Sequence, residues 1–386
     1  MTASRPRVLF VVESGTDVRL VEGMAERFEL ELVCRTIPGG VAVSQSPRVS
    51  VRTYMGSSSR FFFAAEVMRR LLVRPRPDFV VVQGYALAAL AANLIGRFRG
   101  LPVAMLVCSP VERYYRCRKD ANDPRAPFRV AEFLALRLLA RLNALLGQRY
   151  LVLSRHLADV VTGHGTRRPI DVVPVYGVDV EQFTPIDGDR TDLRRRLRLP
   201  EHGPLVLFSS RVAPEKDADT LLRAVGILKS EGRPVAVLNR SGGFEEFQRQ
   251  AAVRGVGDLI DAADAVDPRG ELADLYRAAD LCVQASREEG LGFSPLEALS
   301  CEIPVIASAV GGLKETVIDG DTGWTYVPGD ASQLARQIAA ILTSPQEASR
   351  RAVNGRQLVL QRFERGRVFD QLEQIVRAGT QRREPA

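Results

Sequence analysis

"LCVQASREEGLGFSPLEALSCEIPVIAS" (281–308) decides how this chain folds. Its two ends, LCVQAS and PVIAS, are short apolar runs without alternation, the pattern of strands buried on both faces. Between them Ser294, Pro295, Leu296 and Glu297 spell S-x-x-E with proline at the first helical position, and LEALSC follows at helical spacing. That predicts a helix starting at Ser294. Strand, glycine-bearing loop, helix and strand make one β/α step, which implies parallel strands joined by right-handed crossovers.

The same step recurs in both directions. LVLFSS (205–210), VAVLNR (235–240) and LIDAAD (259–264) precede it. The first half repeats the theme with RVLFVVE (7–13), LELVCR (30–35), DFVVVQG (78–84), PVAMLVCS (102–109), RYLVLS (149–154) and IDVVPV (170–175), interleaved with helical patterns such as ALAALAANLIGRF (86–98). A charged, glycine- and proline-rich stretch (177–204) separates the halves. At 386 residues and 46% hydrophobic, the chain exceeds the roughly 150 residues one core usually serves. The fold class expected is α/β, with two doubly wound parallel-sheet, Rossmann-like domains facing across a cleft. The expected domains are 1–182, a linker at 183–203, 204–364, and a C-terminal helix and tail at 365–386. Open α/β sheets bind ligands at the carboxyl ends of their strands.

Composition removes several function classes. The opening MTASRPRVLF has no apolar signal region, and no run reaches the ~18 residues of a membrane span, so a soluble cytoplasmic protein is expected. Five scattered cysteines and three histidines form neither a C-x-x-C pair nor a ligand cluster, so no metal site is expected. The net charge of +7 is spread without a basic, aromatic-interleaved run, which argues against nucleic acid and suits anionic lipid or a phosphorylated substrate.

Two glutamates stand out. Glu297 reads as the third helical residue closing a capping box with Ser294, or as a ligand group, and Glu289 as a solvated loop carboxylate or a ligand group. Gly290, Leu291, Gly292 and Phe293 lead into a helix mouth whose free N–H groups suit an anion, and carboxylates on either side can accept hydrogen bonds from hydroxyls. A nucleotide sugar carries hydroxyls on both sides of a diphosphate. In LVLFSSRVAPEK, Arg211 follows a strand and Lys216 stands in the next loop or first helical turn, either as chance surface charge or as a pair of cations around an anion.

Together these residues resemble retaining glycosyltransferase family 4, of the two-domain GT-B fold. The likeness is dense over Arg211 and Lys216 (R-x4-K), Glu289 and Glu297 (E-x7-E), and VGGLKETVIDGDTGWTYVPGD (310–330). The resemblance implies a UDP- or GDP-sugar donor, retention, and no metal or other cofactor. By the same resemblance Arg211 and Lys216 hold the diphosphate, Glu289 contacts the transferred sugar, and Glu297 binds the ribose hydroxyls. Arg211, Lys216 and Glu289 are then the catalytic candidates. The donor-binding set adds Gly243 and, for the base, Ala265 and Val266, together with the helix mouth from Gly290 to Ser294. Gly15 and Thr16, in the ESGTDVR loop (13–19), are expected near the donor or acceptor, or else form an ordinary βα turn capped by Thr16 or Asp17.

The first domain departs from the family where histidines are frequent. Gln83 stands in one such place, Cys108 and Ser109 in another, and these three with Glu112 are the acceptor-side candidates. Cys108 reads as a small buried residue or a reactive thiol. The hinge motif VPVYGVDVEQFTP (173–185) has Val175 and Tyr176 where the family has asparagine. The acceptor implied is a glycan, lipid or small molecule, including a lipid-linked or cell-envelope glycan. SRFFFAAEVMRRLLVRPR (59–76) suggests peripheral contact with an anionic membrane at its inner face, with Phe62 among Glu66, Arg69 and Arg70 and with Phe61, Ala65, Met68 and Leu72 as the core stripe. A nucleotide-sugar-binding protein without turnover and a sugar-nucleotide epimerase are the alternatives.

Overall fold

Runs such as RVLFVV and VAMLV cannot lie at a surface. Parallel pairing in a sheet covered on both sides satisfies their backbones while hiding both rows of side chains. The computed structural model describes residues 5–13, 15–35, 49–54, 59–119, 127–267 and 270–381. The opening residues 1–4, Ser14 of the 13–19 loop, and 382–386 lie outside them. The chain divides into two units, Met1–Glu112 with Pro127–Gly177 and Gly366–Ala386, and Arg113–Ala126 with Val178–Arg365.

The first unit runs β1 (Arg7–Val12), α1 (Val18–Arg27), β2 (Glu29–Arg35), β3 (Val49–Tyr54), α2 (Arg60–Leu72), β4 (Phe79–Gln83), α3 (Leu87–Arg99) and β5 (Val103–Val107). Most of α4 (Val111–Arg118) belongs to the second unit, and the first resumes with α5 (Val130–Leu146), β6 (Arg149–Val152), α6 (Arg155–Gly163) and β7 (Ile170–Val172). Its sheet is parallel, in the order β3-β2-β1-β4-β5-β6-β7. The second unit runs α7 (Arg190–Arg196), β8 (Leu205–Leu207), α8 (Ala218–Ser230), β9 (Ala236–Asn239), α9 (Phe244–Val253), β10 (Ile260–Ala262), α10 (Leu272–Ala278) and β11 (Leu281–Gln284). It continues with α11 (Phe293–Ser300), β12 (Val305–Ser308), α12 (Leu313–Thr316), β13 (Trp324–Tyr326), α13 (Ala331–Thr343) and α14 (Pro345–Arg362). Its sheet is also parallel, in the order β10-β9-β8-β11-β12-β13. The final helix, α15 (Arg365–Gln381), belongs almost entirely to the first unit. Each sheet reverses its winding once, beside β1 and β4 in the first and beside β8 and β11 in the second, and such switch points open crevices for ligands.

Three expectations change. Residues 183–203, read as a linker, are built into the second unit: Arg194 is buried and bridges to Asp280 (2.8 Å), Phe183 is fully buried, and Arg277 binds the Thr184 carbonyl (2.8 Å). Two strands escape the reading because β3 alternates polar and apolar residues and β13 has only three residues. Helix α2 is rotated from its expected phase. Phe63, Val67, Arg70 and Leu71 face inward while Phe61 is 76% exposed. An ion pair between Arg70 and Glu31 of β2 draws the arginine inside and sets the phase.

Candidate functional site

Strand β8 ends at Leu207, and the chain turns through Ser209 and Ser210 to Arg211 before a short 3-10 turn, Pro214–Lys216. Asp217 then takes a left-handed conformation (φ 49°), bonds Thr220 Oγ1 (2.8 Å), and starts α8. Lys216 is thereby aimed at the end of the neighbouring strand β11, where its Nζ meets the Glu289 carboxylate. Glu289 is buried. It also accepts from Ser286 Oγ (3.1 Å), Gln284 Nε2 (3.2 Å) and Tyr114 Oη (3.4 Å). Ser210 Oγ donates to Gln284 Oε1 (3.0 Å), so the network spans the switch point.

The loop that carries Glu289 is held by two glycines downstream. Gly312 N donates to the Glu289 carbonyl (3.0 Å), and a Cβ at Gly311 or Gly312 would lie 2.1 Å from Glu289 O or 2.2 Å from Gly290 O. Only residues without a side chain allow that approach.

Helix α11 does not close a capping box. Gly292 is its N-cap, at φ 95°, so Ser294 is the second helical residue, and its hydroxyl donates instead to the Ser209 carbonyl (2.7 Å). Glu297 lies too far along the helix to reach back, and accepts from Tyr276 Oη (2.9 Å). Tyr276 in turn bonds Ser209 Oγ (2.9 Å). Burial, then the Glu297 carboxylate, pushes the Tyr276 phenol well up, so it remains a donor.

Three residues that the sequence reading missed complete this side. Arg118 makes a two-pronged contact with Glu215 (2.8 and 2.5 Å), Arg113 reaches Glu288 (3.5 Å), and Tyr114 meets Glu289, all from α4. Glu215 is fully buried and also pairs with Arg211 (3.1 Å). Burial raises its carboxyl, but the Arg118 hydrogen bond and the two guanidinium charges prevail and hold it below the ordinary value. Gly243 caps α9 at φ 78° against Val212, and Val266 N bonds the Arg240 carbonyl (3.2 Å) beside exposed Ala265. Arg211, Lys216, Gly243, Ala265, Val266, Gly290–Ser294 and both glutamates therefore follow strands of one sheet at its carboxyl edge.

Gly15, Thr16, Gln83, Cys108, Ser109 and Glu112 stand on the first unit. Asp17, not Thr16, caps α1, accepting from Arg19 N (2.9 Å), and Gln83 Nε2 donates to the Gly15 carbonyl (3.4 Å). Burial pushes the Cys108 thiol up to about 12, which leaves it protonated and unreactive near neutrality. The sequence reading found no histidine close by in the chain, yet the fold brings His164 Nε2 to Glu112 (3.3 Å) and edge-on to Tyr85 (5.2 Å between rings). Desolvation lowers the His164 pKa against the pull of Glu112, and both His164 Nδ1 and Tyr85 Oη are buried without a partner among the described residues. Glu13, at the end of β1, is buried with Oε1 3.3 Å from Arg60 and with no hydrogen-bond partner for Oε2 among the described residues. Among the described residues no group of three or more His, Cys, Asp or Glu is arranged to hold a metal ion.

Residues 189–358 match the family model described as glycosyl transferases group 1. Over those residues the chain is similar to the group 1 glycosyltransferases. Similar proteins include the D-inositol 3-phosphate glycosyltransferase of Xylanimonas cellulosilytica, 38% identical over 194 residues that span 48% of this chain and 46% of that protein. Another, of the same description from Streptomyces scabiei, is 32% identical over 70% of this chain and 62% of its own length. The chain thus spans about half to three-fifths of these two relatives. Among solved structures, sucrose-phosphate synthase from Thermosynechococcus elongatus superposes with TM-score 0.76 at 21% identity, covering 97% of this chain and 99% of the other. Anabaena HepE in complex with UDP-glucose does so with TM-score 0.76 at 17% identity, over 97% and 100%. The fold is that of the GT-B glycosyltransferases. The group 1 match contains Arg211, Lys216, Glu289 and Glu297, whereas α4 and all first-unit candidates lie outside it.

Proposed function

We propose that this chain is a group 1 glycosyltransferase that moves an α-linked sugar from a nucleoside diphosphate donor, UDP- or GDP-linked, to an acceptor hydroxyl with retention and without a metal. The observation that carries the reading is the pairing of Lys216 with buried Glu289, just ahead of the α11 N-terminus at one switch point, with Arg211 on the same loop as Lys216. The bond from the sugar's anomeric carbon to the β-phosphate oxygen breaks with its electron pair going to that oxygen. The acceptor oxygen bonds the same face of the anomeric carbon, and its proton passes to the departing phosphate. Arg211, Lys216 and the helix N–H groups stabilise the charge growing on the diphosphate, the task a divalent ion performs elsewhere. Glu289 orients the sugar through its hydroxyls, and Glu297 the ribose.

The acceptor belongs to the first unit, where Glu13, Gln83, Glu112 and His164 supply polar groups. Its class is a polyol, glycan or lipid-linked glycan. The relatives named for D-inositol 3-phosphate make a phosphorylated polyol the first acceptor to try, and the +7 charge suits it. We place the enzyme in the cytoplasm, reaching lipid-linked acceptors from the inner face of the membrane. Among the described residues no helix is long and apolar enough to cross a membrane.

The test is release of nucleoside diphosphate from UDP- and GDP-sugars with D-inositol 3-phosphate and a panel of glycan acceptors, with and without EDTA. Acceptor-dependent release that survives chelation is expected. Donor binding without release would mark a binding protein, a changed sugar without transfer an epimerase, and reversible loss under EDTA would overturn the metal-free diphosphate site. Independently, a donor nucleotide at a hundred times its Kd should stabilise the fold by about 2.7 kcal/mol.

A further inference from the structure

Helix α5 turns Phe133, Ala140, Asn143 and Ala144 inward. Its other side carries Val130, Leu134, Leu138, Leu142 and Leu145, all exposed, at helical spacing. At ~1.5 Å per residue this open apolar stripe is about 22 Å long. A soluble helix ordinarily puts charge there.

The stripe is part of a wider face. Helix α3 packs between α2 and α5 and adds Leu94 and Phe98, the latter 82% exposed. Arg97 donates to the Leu146 carbonyl (2.8 Å) and Arg99 to the Leu72 carbonyl (3.5 Å), so the last turns of the three helices end side by side. Exposed Leu72 and Val73 thereby join Phe98. Arg74, Arg76 and Arg141 are exposed on these segments. The carboxylates on the same helices are already engaged, Glu66 by Arg69 (2.6 Å) and Glu132 by Arg129 (3.2 Å).

We propose that the α2–α3–α5 face of the first unit docks on an anionic lipid bilayer. Its leucines and Phe98 enter the boundary between headgroups and acyl chains, and the arginines meet lipid phosphates. Charge selects this occupant over a second copy of the chain. A two-fold contact through the face would set Arg74, Arg76 and Arg141 against their own counterparts, with the neighbouring carboxylates already paired. The assignment shifts the weight from the 59–76 segment, most of whose inward side is packed, to α5 and α3. It does not depend on the donor site or on turnover.

The test is flotation of the full chain with phosphatidylcholine vesicles, with and without phosphatidylglycerol, alongside light scattering. Wild type is expected to bind the anionic vesicles and to leave them as salt rises. Leu138→Gln with Leu142→Gln should lower partitioning about tenfold or more, because two large apolar side chains no longer leave water. Arg141→Gln should lower it about fivefold. Should the double variant fail to fold, Phe98→Ser on α3 reads the same contribution. Wild type that floats equally with both vesicles, or with neither, overturns the proposal. So does a dimer that the leucine substitutions dissolve, since the face would then join two copies.

Discussion

As chance surface charge Lys216 would be exposed, and its removal would leave folding untouched. Its side chain is instead only 15% exposed and closes against buried Glu289. Lys216→Ala should therefore do two things. It should lower kcat/KM by on the order of 10², as loss of a preorganised charge on the leaving group does, and it should cost about 3 kcal/mol of stability by stranding a buried carboxylate. Adding Glu289→Gln should restore most of the stability and none of the turnover. Denaturant titration with initial rates separates the two effects, and a single variant as stable as wild type would contradict the buried pairing. Glu13 is the opposite case. Burial raises its carboxyl above the ordinary value, against Arg60 and Arg35. Its charge therefore opposes folding at neutral pH, and the penalty builds as pH rises from the unfolded-state value near ~4.3 through the higher folded one. Glu13→Gln should raise Tm at pH 7, with the gain vanishing toward pH 4. A lower Tm at pH 7 would mean that the Arg60 pair outweighs desolvation. Arg211, Lys216 and both glutamates were legible because their spacing is local, whereas Arg118 meets Glu215 across 97 residues and Tyr114 meets Glu289 across 175. No short pattern encodes such a meeting.

Helices and strands were legible where burial is one-sided or complete, and misread where a single polar contact set the phase. The Arg70–Glu31 pair rotated α2, and the φ of Gly292 moved the start of α11 back from Ser294, which detached Glu297 from its expected cap. The pairing of Gly311 and Gly312 with the Glu289 loop gives a test at this scale. Gly312→Ala must displace Gly290 O, so kcat/KM should fall at least about tenfold and stability by about 1–3 kcal/mol. Gly226→Ala, inside α8 with its nearest neighbouring atom 3.8 Å away, should leave activity unchanged and add up to about 1 kcal/mol. Equal behaviour of the two variants in activity and denaturation assays would remove the proposed role of the glycine pair.

Over the whole molecule, the two-sheet organisation followed from repeated β/α steps, but the course of the chain between units did not. Helix α15 returns to the first unit, where the Phe369 ring fills the space left by Gly23, Arg27 pairs with Asp370 (2.8 Å), and Gln371 bonds the Val172 carbonyl (3.0 Å). Phe369, Leu372, Ile375 and Val376 are buried. At about 1.5–3 kcal/mol each, they contribute on the order of a small domain's entire stability of about 5–15 kcal/mol. A chain ending at Arg365 should lose the first unit's thermal transition while still binding donor nucleotide through the second. Two intact transitions by calorimetry would show that α15 is dispensable.

Apart from Arg113–Ala126, the second unit is one segment from Val178 to Arg365, and Val178 N bonds the Phe363 carbonyl (2.7 Å) while Arg365 N bonds the Val178 carbonyl (2.9 Å). The way in and the way out are adjacent rungs of one short ladder, so the second unit is topologically a cassette spliced into its host. Such a cassette is well suited to exchange among relatives, because its ends already meet and a graft need not stretch the host chain. One thread would be cut by the exchange. Arg118 is encoded upstream of the splice, and a transplanted cassette that arrived without it would leave the fully buried Glu215 paired, among the described residues, with the exposed Arg211 alone. The inheritance of a donor specificity in this fold should therefore include the short α4 segment as well as the cassette itself.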